Sequence, residues 1–480
     1  MKLKIGLAGA SQLSFPGDKP ALFNASVEYM QGLADTLDFE LCVYEPTIVT
    51  PEEAQSARAY FEEQRIDFFL LQCTTFSAGT LVPVLFKNAP YRSGIWGLKE
   101  PTREGVILLN SFCSINMYSG IIKTYLREYG VTAKWFFGGP GDATLTRRLE
   151  VTISALSAIK KLSNARIALI GGIAPGFDDL YFDERKLEKR FPGLYLNRLH
   201  EFNEISSMAD SYSDGEIAKE VQKITGEAHL IDQKSINLMA LNARFYKAYK
   251  KLITENDYDA LAISCWPKFQ QQYKYSVCSV VGMLNDDMVP AACEGDVFGA
   301  VSMLILQTLA GRPTTLVDLV DMDEEDQSIQ VWHCGPSAKE FAMGEKYDLS
   351  VNYHGLPQTP GMDINSCGVT RDMVFAPGAV TSLRLSGEAD QLFIFSGRIP
   401  DKDKPSFHGC RGWVEDIRLN GEKITLPDFI NTIMVQGLSH HYTLAYGDYT
   451  DKACELSTWL GLSKIQKIPY KDYLQTPQEF

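Results

Sequence analysis

The sequence predicts an α/β fold: two Rossmann-like α/β domains with parallel sheets, followed by a mostly antiparallel β C-terminal domain. Three observations predict it. Short apolar runs alternate with amphipathic helical patterns through the first two thirds of the 480 residues, the alternation of parallel sheets covered by helices on both faces. One long helical pattern, ATLTRRLEVTISALSAIKKL, separates two such series. Beyond about residue 345 the texture changes to short β-rich runs with turns, as in an antiparallel domain. A chain this long exceeds a single hydrophobic core, and the pattern places domains at 1–165, 166–345 and 346–480.

The elements follow in order. LKIGLAGA, FELCVYE and DFFLLQC read as strands, with NASVEYMQGLADTL and PEEAQSARAYFEEQ as the helices between them. GVILLN, the helical NMYSGIIKTYLREY and AKWFFGG complete the first series. The second opens at ARIALIGG and continues through LYLNRLH, the helical SINLMALNARFYKAYKKLIT and the strand DALAISC. QQYKYSVCSVVGMLND and VFGAVSMLILQTLA carry the density of buried helices, and TTLVDLVDMDEEDQSIQVWHCG contains two strands. AVTSLRLSG, DQLFIFSGRI and GWVEDIRLNGE supply the β-rich third domain. No internal repeat or low-complexity tract interrupts the series.

Composition narrows the function classes. The chain is 45% hydrophobic and 22% charged, without the run of about 18 uncharged apolar residues that marks a membrane span. MKLKIGLAGASQLSFPGDK lacks the apolar segment of a signal peptide, so the expectation is a cytoplasmic protein. A net charge of −14 disfavours nucleic acid or an anionic membrane as partner. The cysteines include no C-x-x-C pair, and Cys42, Cys73, Cys265 and Cys293 sit at the ends of apolar runs, so they are expected to be buried reduced thiols.

GLAGAS and GGIAPG each follow a strand, but neither completes G-x-G-x-x-G with an acid at the end of the next strand; tight strand-to-helix turns are the simpler reading, with a nicotinamide-linked oxidoreductase as the competing one. The G-x-S-x-G, P-loop and H-E-x-x-H motifs are also missing, which removes the commonest hydrolase, nucleotide and zinc-protease readings. What remains is PAACEGDVFGA, where Glu294 and Asp296 fall between a strand and a buried helix. Asp296 suits an N-cap. Glu294, between a cysteine and an apolar helix, needs a partner or a cation. Asp318, Asp321 and His333 on the following strands, and the His440–His441 pair in a loop, complete a mixed nitrogen and carboxylate set that suits a divalent ion such as Mn²⁺. The residues alone therefore indicate a metal-dependent enzyme of unspecified reaction.

AACEGDVFGAVSMLILQTLAGRPTTLVDLVDMDEEDQSIQVWHCGPS and QGLSHHYTLAYGD resemble the L-fucose isomerase and L-arabinose isomerase superfamily, in its fucose-isomerase-like branch. The resemblance implies a single Mn²⁺ held by Glu294, Asp318 and His441, since the family's spacing between its two acids fits Asp318 better than Asp321 and its ligand is the second histidine. It implies aldose–ketose isomerisation through a cis-enediolate, with Glu294 and Asp318 as base and acid. His333 occupies the region of a further histidine ligand in the arabinose branch, and is taken here as a substrate contact. Trp413 could stack on a sugar, Arg411 could meet an anionic or hydroxylated far end, and Gln271, after a strand's C-terminal edge, could reach a hydroxyl. The implied substrate is a free monosaccharide, either a deoxy-aldose such as L-fucose or a C6-modified hexose such as sulfoquinovose. The family assembles as hexamers or trimers with sites near subunit interfaces, so a homo-oligomer is expected. The alternative from another class is a non-catalytic sugar-binding protein.

Overall fold

The computed structural model describes residues 2–350 and 368–477; residues 351–367 and 478–480 of the expected C-terminal domain lie outside the described residues. The chain divides into two compact units, Met1–Lys160 and Lys161–Phe480.

In the first unit, β1 (Leu3–Ala10), β2 (Phe39–Ile48), β3 (Phe68–Cys73), β4 (Arg92–Gly97) and β5 (Ala133–Phe137) pair in parallel in the order β2-β1-β3-β4-β5. Every residue of β3 is buried, which is why it reads as an unbroken apolar run rather than an alternating one. The helix Pro51–Gln64 starts where its sequence says it should: Thr50 and Glu53 form a reciprocal capping box and proline takes the first turn. In GLAGAS, a Cβ on Gly9 would come within 2.6 Å of the Thr47 side chain, so this glycine serves close packing.

The second unit contains a parallel sheet of β6 (Arg166–Ile170), β7 (Tyr195–His200), β9 (Ala260–Ile263) and β10 (Ala291–Ala292), ordered β10-β9-β6-β7; the intervening β8 (Ala228–Ile231) belongs elsewhere. The helix Gln233–Asn256 is capped by Asp232, whose side chain accepts from the Ser235 amide. The expected single helix over QQYKYSVCSVVGMLND is instead two, Lys268–Tyr273 and Cys278–Asp286. Lys274 between them turns left-handed and buries Tyr275, whose hydroxyl donates to Asn242.

The rest of the unit is a large mixed sheet of β11 (Thr315–Asp323), β12 (Ser328–His333), β13 (Tyr347–Ser350), β14 (Thr370–Val374), β15 (Gly378–Ser386), β16 (Gln391–Ile399), β17 (Cys410–Leu419), β18 (Glu422–Lys423), β19 (His441–Tyr446) and β20 (Ser463–Lys464), together with β8. Within it β16-β15-β19-β11-β12-β17 returns to β16, every pair antiparallel, and so closes a six-stranded barrel. The strands at 315–333, which the sequence groups with the central domain, are thus staves of the same barrel as the C-terminal strands. The physical reason is burial. Val317, Ile329 and Val331 pack in one core with Phe393, Phe395 and Tyr442, and closure leaves none of these six strands as a free edge. Phe429, from the helix Leu426–Gln436, packs edge-on to Phe395 at 5.2 Å between ring centroids.

The helix Val297–Ala310, buried along nearly its whole length, lies between the two sheets of this unit, touching β9 on one side and β15 and β19 on the other. That placement brings the C-terminal edge of the parallel sheet, where ligands commonly bind in α/β folds, against the outer wall of the barrel. No helix among the described residues is long and apolar enough to cross a membrane.

Candidate active site

The site begins where β10 runs out. Glu294 and Gly295 both take positive φ, 61° and 75°, turning the chain sharply before Asp296 caps the helix Val297–Ala310. A glutamate in the left-handed region is uncommon, and such strain concentrates at functional sites. Gly295 is obligatory here, because a Cβ would sit 2.2 Å from the Gly172 carbonyl oxygen. The turn is pinned by the Gly295 amide donating to Ile263 and by the Ala174 amide donating to the Glu294 carbonyl at 2.9 Å.

Asp296 does more than begin a helix. One carboxylate oxygen accepts the Gly299 amide at 2.7 Å, as an N-cap should. The other accepts from Arg384 of β15 and stands 3.0 Å from Nδ1 of His441 at the head of β19. All three side chains are buried. Burial alone would raise the Asp296 carboxyl, but the Arg384 guanidinium and His441 outweigh it and hold the group below the usual carboxylate range. With Nδ1 engaged by an ionised carboxylate, Nε2 is the ring atom of His441 that faces the acids, the arrangement by which second carboxylates orient histidine ligands.

His441 Nε2 lies 3.5 Å from Glu294 Oε2 and 3.7 Å from Asp318 Oδ1. Asp318 comes from β11, paired directly with His441 across the ladder, so neighbouring staves present both on one face. Burial pushes the Asp318 carboxyl up to about 6, with Glu294 adding to the rise against the opposing pull of His441 and His440. The Oδ1 of Asp318 and the Nε2 of His441 are both buried with no hydrogen-bond partner. Two trios have ligand atoms within 4.8 Å of one another: Glu294, His440 and His441, and Asp318, His333 and His441. His333 ends β12 with its ring stacked on His441 at 5.3 Å.

His440 bridges two carboxylates, its Nε2 facing Glu294 at 3.1 Å and its Nδ1 facing Asp179 at 2.7 Å. Burial would lower the His440 imidazole, but the bonds to Glu294 and Asp179 raise it to about 9.

The structure therefore brings together Glu294, Asp318, His441, His333 and His440. Asp321 is separated from Asp318 by a bulge in β11 and is exposed. Arg411 is engaged by Asp372 and donates to the Gly409 carbonyl at 2.7 Å. Trp413 donates to the Pro405 carbonyl at 2.9 Å beneath the Lys404 ammonium. Both line a pocket of about 540 Å³ whose walls include none of the clustered acids and histidines. Gln271 faces solvent on the helix Lys268–Tyr273, and it is Gln270 that is buried, donating to the Cys265 carbonyl. Sequence reasoning missed Arg384 and Asp179. Nothing local marks either: Arg384 reads as an ordinary strand residue, and Asp179 sits in a loop singled out only for its glycines. Cys42, Cys73, Cys265 and Cys293 are buried free thiols.

No protein-family model matches the chain. Curated relatives do. The sulfoquinovose isomerase of Priestia aryabhattai is 28% identical over 444 residues, covering 91% of this chain and 93% of its own. That of Alkalicoccus urumqiensis is 27% identical over 413 residues, covering 83% and 86%. That of Clostridium sp. (strain MSTE9) is 31% identical over 396 residues, covering 79% and 83%. Among solved structures, an ABC transporter solute binding protein from Agrobacterium vitis bound with alpha-D-tagatopyranose aligns with 65% of this chain and 90% of its own at 12% identity, but its TM-score of 0.18 carries no argument. Kinship over most of both chains sets aside the non-catalytic and nicotinamide-linked alternatives: the chain is an aldose–ketose isomerase and belongs to the sulfoquinovose isomerase family.

Proposed function

We propose that this isomerase converts sulfoquinovose, a hexose sulfonated at C6, to its 2-ketose, with a divalent ion such as Mn²⁺ held by Glu294, Asp318 and His441. The observation that carries the metal reading is the pair of buried atoms, Asp318 Oδ1 and His441 Nε2, that face each other at 3.7 Å without a hydrogen-bond partner. Leaving such groups unsatisfied costs about 1–3 kcal/mol each, and a cation relieves both. Two carboxylates and an imidazole also form a donor set suited to Mn²⁺. Bound there, the ion supplies a Lewis acid for the two sugar oxygens that exchange carbonyl and hydroxyl character.

Proton movement falls to this chain's own residues. A proton leaves C2 of the open-chain aldose and one arrives at C1, while the O2 hydroxyl gives up its proton and O1 gains one. Glu294 and Asp318, both on the His441 imidazole, are the carboxylates placed to carry these transfers, one as base and the other as acid. They act as a coupled pair, so the two tasks belong to the dyad. Asp296 and Arg384 keep the imidazole aimed. The relatives' shared name supports the sulfonated substrate; a deoxy-aldose such as L-fucose remains the contrasting case. A homo-oligomer, trimer or hexamer, is the assembly the resemblance suggests, and sedimentation at three or six times 53.6 kDa is the expected result.

The test is turnover of sulfoquinovose, L-fucose, D-arabinose and L-arabinose by chelator-treated protein with and without added Mn²⁺, the ketose being followed by NMR. Ketose from sulfoquinovose alone, restored by Mn²⁺, is expected. Ketose from L-fucose and none from sulfoquinovose would overturn the substrate, and full turnover after exhaustive chelation would overturn the metal.

A further inference from the structure

The GGIAPG loop after β6 is not spent on a nucleotide, and its contacts point to another use. It touches the turn carrying Glu294 twice: the Ala174 amide donates to the Glu294 carbonyl at 2.9 Å, and the Gly172 carbonyl packs so close to Gly295 that no Cβ fits between them. A few residues on, the same loop grips the two-histidine segment. Asp179 Oδ2 accepts both the His440 amide at 3.0 Å and its Nδ1 at 2.7 Å. The Asp179 carbonyl accepts the Ser439 hydroxyl at 2.9 Å, and the Phe177 ring lies 5.6 Å from the His440 ring. The far nitrogen of that ring faces Glu294 Oε2 at 3.1 Å.

We infer that Asp179 is a positioning residue for Glu294, acting through His440. Carboxylates only accept hydrogen bonds, so an imidazole between two of them serves both best with an N–H on each nitrogen. Asp179 fixes the ring's rotation, and the ring in turn holds Glu294 Oε2, and with it the orientation of the carboxylate that the proposed function uses. A glutamate has three side-chain torsions, and without this brace its carboxylate samples positions from which proton transfer does not occur. The loop thus braces Glu294 from both sides, its backbone through residues 172 and 174 and its carboxylate through residue 179. The inference rests on the isomerase reading for its kinetic consequence, and on contacts alone for the brace.

The experiment compares wild type with Asp179→Ala and Asp179→Asn, using the sugar that the wild type turns over best. For Asp179→Ala, kcat is expected to fall roughly 10–100-fold, the usual cost of losing an outer partner of a site residue, with KM changed less than about twofold. The primary isotope effect with C2-deuterated sugar should rise, because proton transfer becomes slower relative to the other steps. Asp179→Asn, which keeps an acceptor oxygen, should fall between the two. An unchanged kcat overturns the inference, and so does a fall in kcat with an unchanged isotope effect, since mere loss of folded enzyme does not alter that ratio. A second arm needs no turnover: proton NMR of chelator-treated protein, in which seven histidines keep the low-field region sparse. The Nδ1 proton bonded to Asp179 is expected downfield, identified by its loss in His440→Gln, and should vanish in Asp179→Ala. Its persistence there overturns the brace. A wild type inactive on every sugar, yet showing this resonance, would count against the isomerase reading and leave the brace standing.

Discussion

Two buried arginine–aspartate pairs in the second unit make an instructive contrast. Arg371 of β14 and Asp286 are 2.8 Å apart, with the arginine side chain wholly shielded and the aspartate nearly so. Arg384 and Asp296 are equally buried. The chemistry is the same, but the remaining bonds go to different places. Asp286 accepts the Lys339 amide, and Arg371 donates to the Ser337 carbonyl and lies over the Tyr347 ring, so that pair ties loops together. Asp296 spends its second oxygen on His441. A buried ion pair is thus no indicator of function; what the aspartate does with its spare lone pairs decides.

Breaking either pair should give the largest effects. Asp286→Ala strands a buried guanidinium, and Arg384→Met strands a buried carboxylate; each is expected to cost about 3–5 kcal/mol of folding stability, measured by denaturant unfolding of chelator-treated protein. Equal losses in the two variants would support treating them as the same physical object. A loss below about 1 kcal/mol in either would show that water or a rearranged neighbour satisfies the orphaned charge.

The pairs should separate when metal binding is measured. Asp296→Asn preserves shape but turns one acceptor into a donor facing the His441 Nδ1–H, so Mn²⁺ affinity is expected to fall about 10–100-fold. Asp286→Asn should leave it within about twofold. Titration calorimetry with Mn²⁺ checks both, and comparable losses in the two would erase the contrast. The double substitution Arg371→Met with Asp286→Leu sharpens it further, because apolar replacement of a structural buried pair is often neutral. Near wild-type stability and Mn²⁺ affinity are expected there. The matching Arg384→Met with Asp296→Leu double variant should fold but bind the ion poorly, since nothing then orients His441.

The contrast also shows what a sequence can carry. Apolar runs and helical periodicity mark most strands of the parallel sheets, most clearly those such as β3 and β9 that bury both faces, whereas β4 falls on RSGIWG and the apolar GVILLN is not a strand. The acidic turn at residues 293–296 was legible because a charge between a buried strand end and a buried helix must be explained. The barrel was less so: the strands holding Asp318 and His333 pair with partners about 80 to 125 residues away in the ladder, and strand pairing at such distance leaves no trace in a local window. Arg384 and Asp179 escaped for the same reason. Each matters through long-range bonds, Arg384 to Asp296 and Asp179 to Ser439 and His440, and such bonds have no periodicity to betray them. Asp296 reads as an N-cap, which it is; its bond to His441 depends on how β19 docks against the helix.

A third arginine–aspartate pair supplies the smallest expected effect. Arg411 and Asp372 resemble the structural pair more than the site pair: the guanidinium is engaged by Asp372 and the Gly409 carbonyl, Asp372 also faces His408 at 3.0 Å, and the adjoining pocket holds Trp413 and Lys404 in place of the clustered acids. Arg411→Ala should therefore leave Mn²⁺ affinity intact and change KM for any turned-over sugar by less than about twofold, while lowering stability modestly through the loss of a partly shielded pair. The informative comparison is between a sulfonated and a neutral sugar. A guanidinium that binds the sulfonate would raise KM for the first alone on removal, by about tenfold for the loss of a charge-assisted bond worth about 1.4 kcal/mol. That outcome would assign the Trp413 pocket to the far end of the substrate and move Arg411 from the scaffold to the site; equal changes in KM for both sugars would leave Asp296 as the aspartate whose arginine serves catalysis.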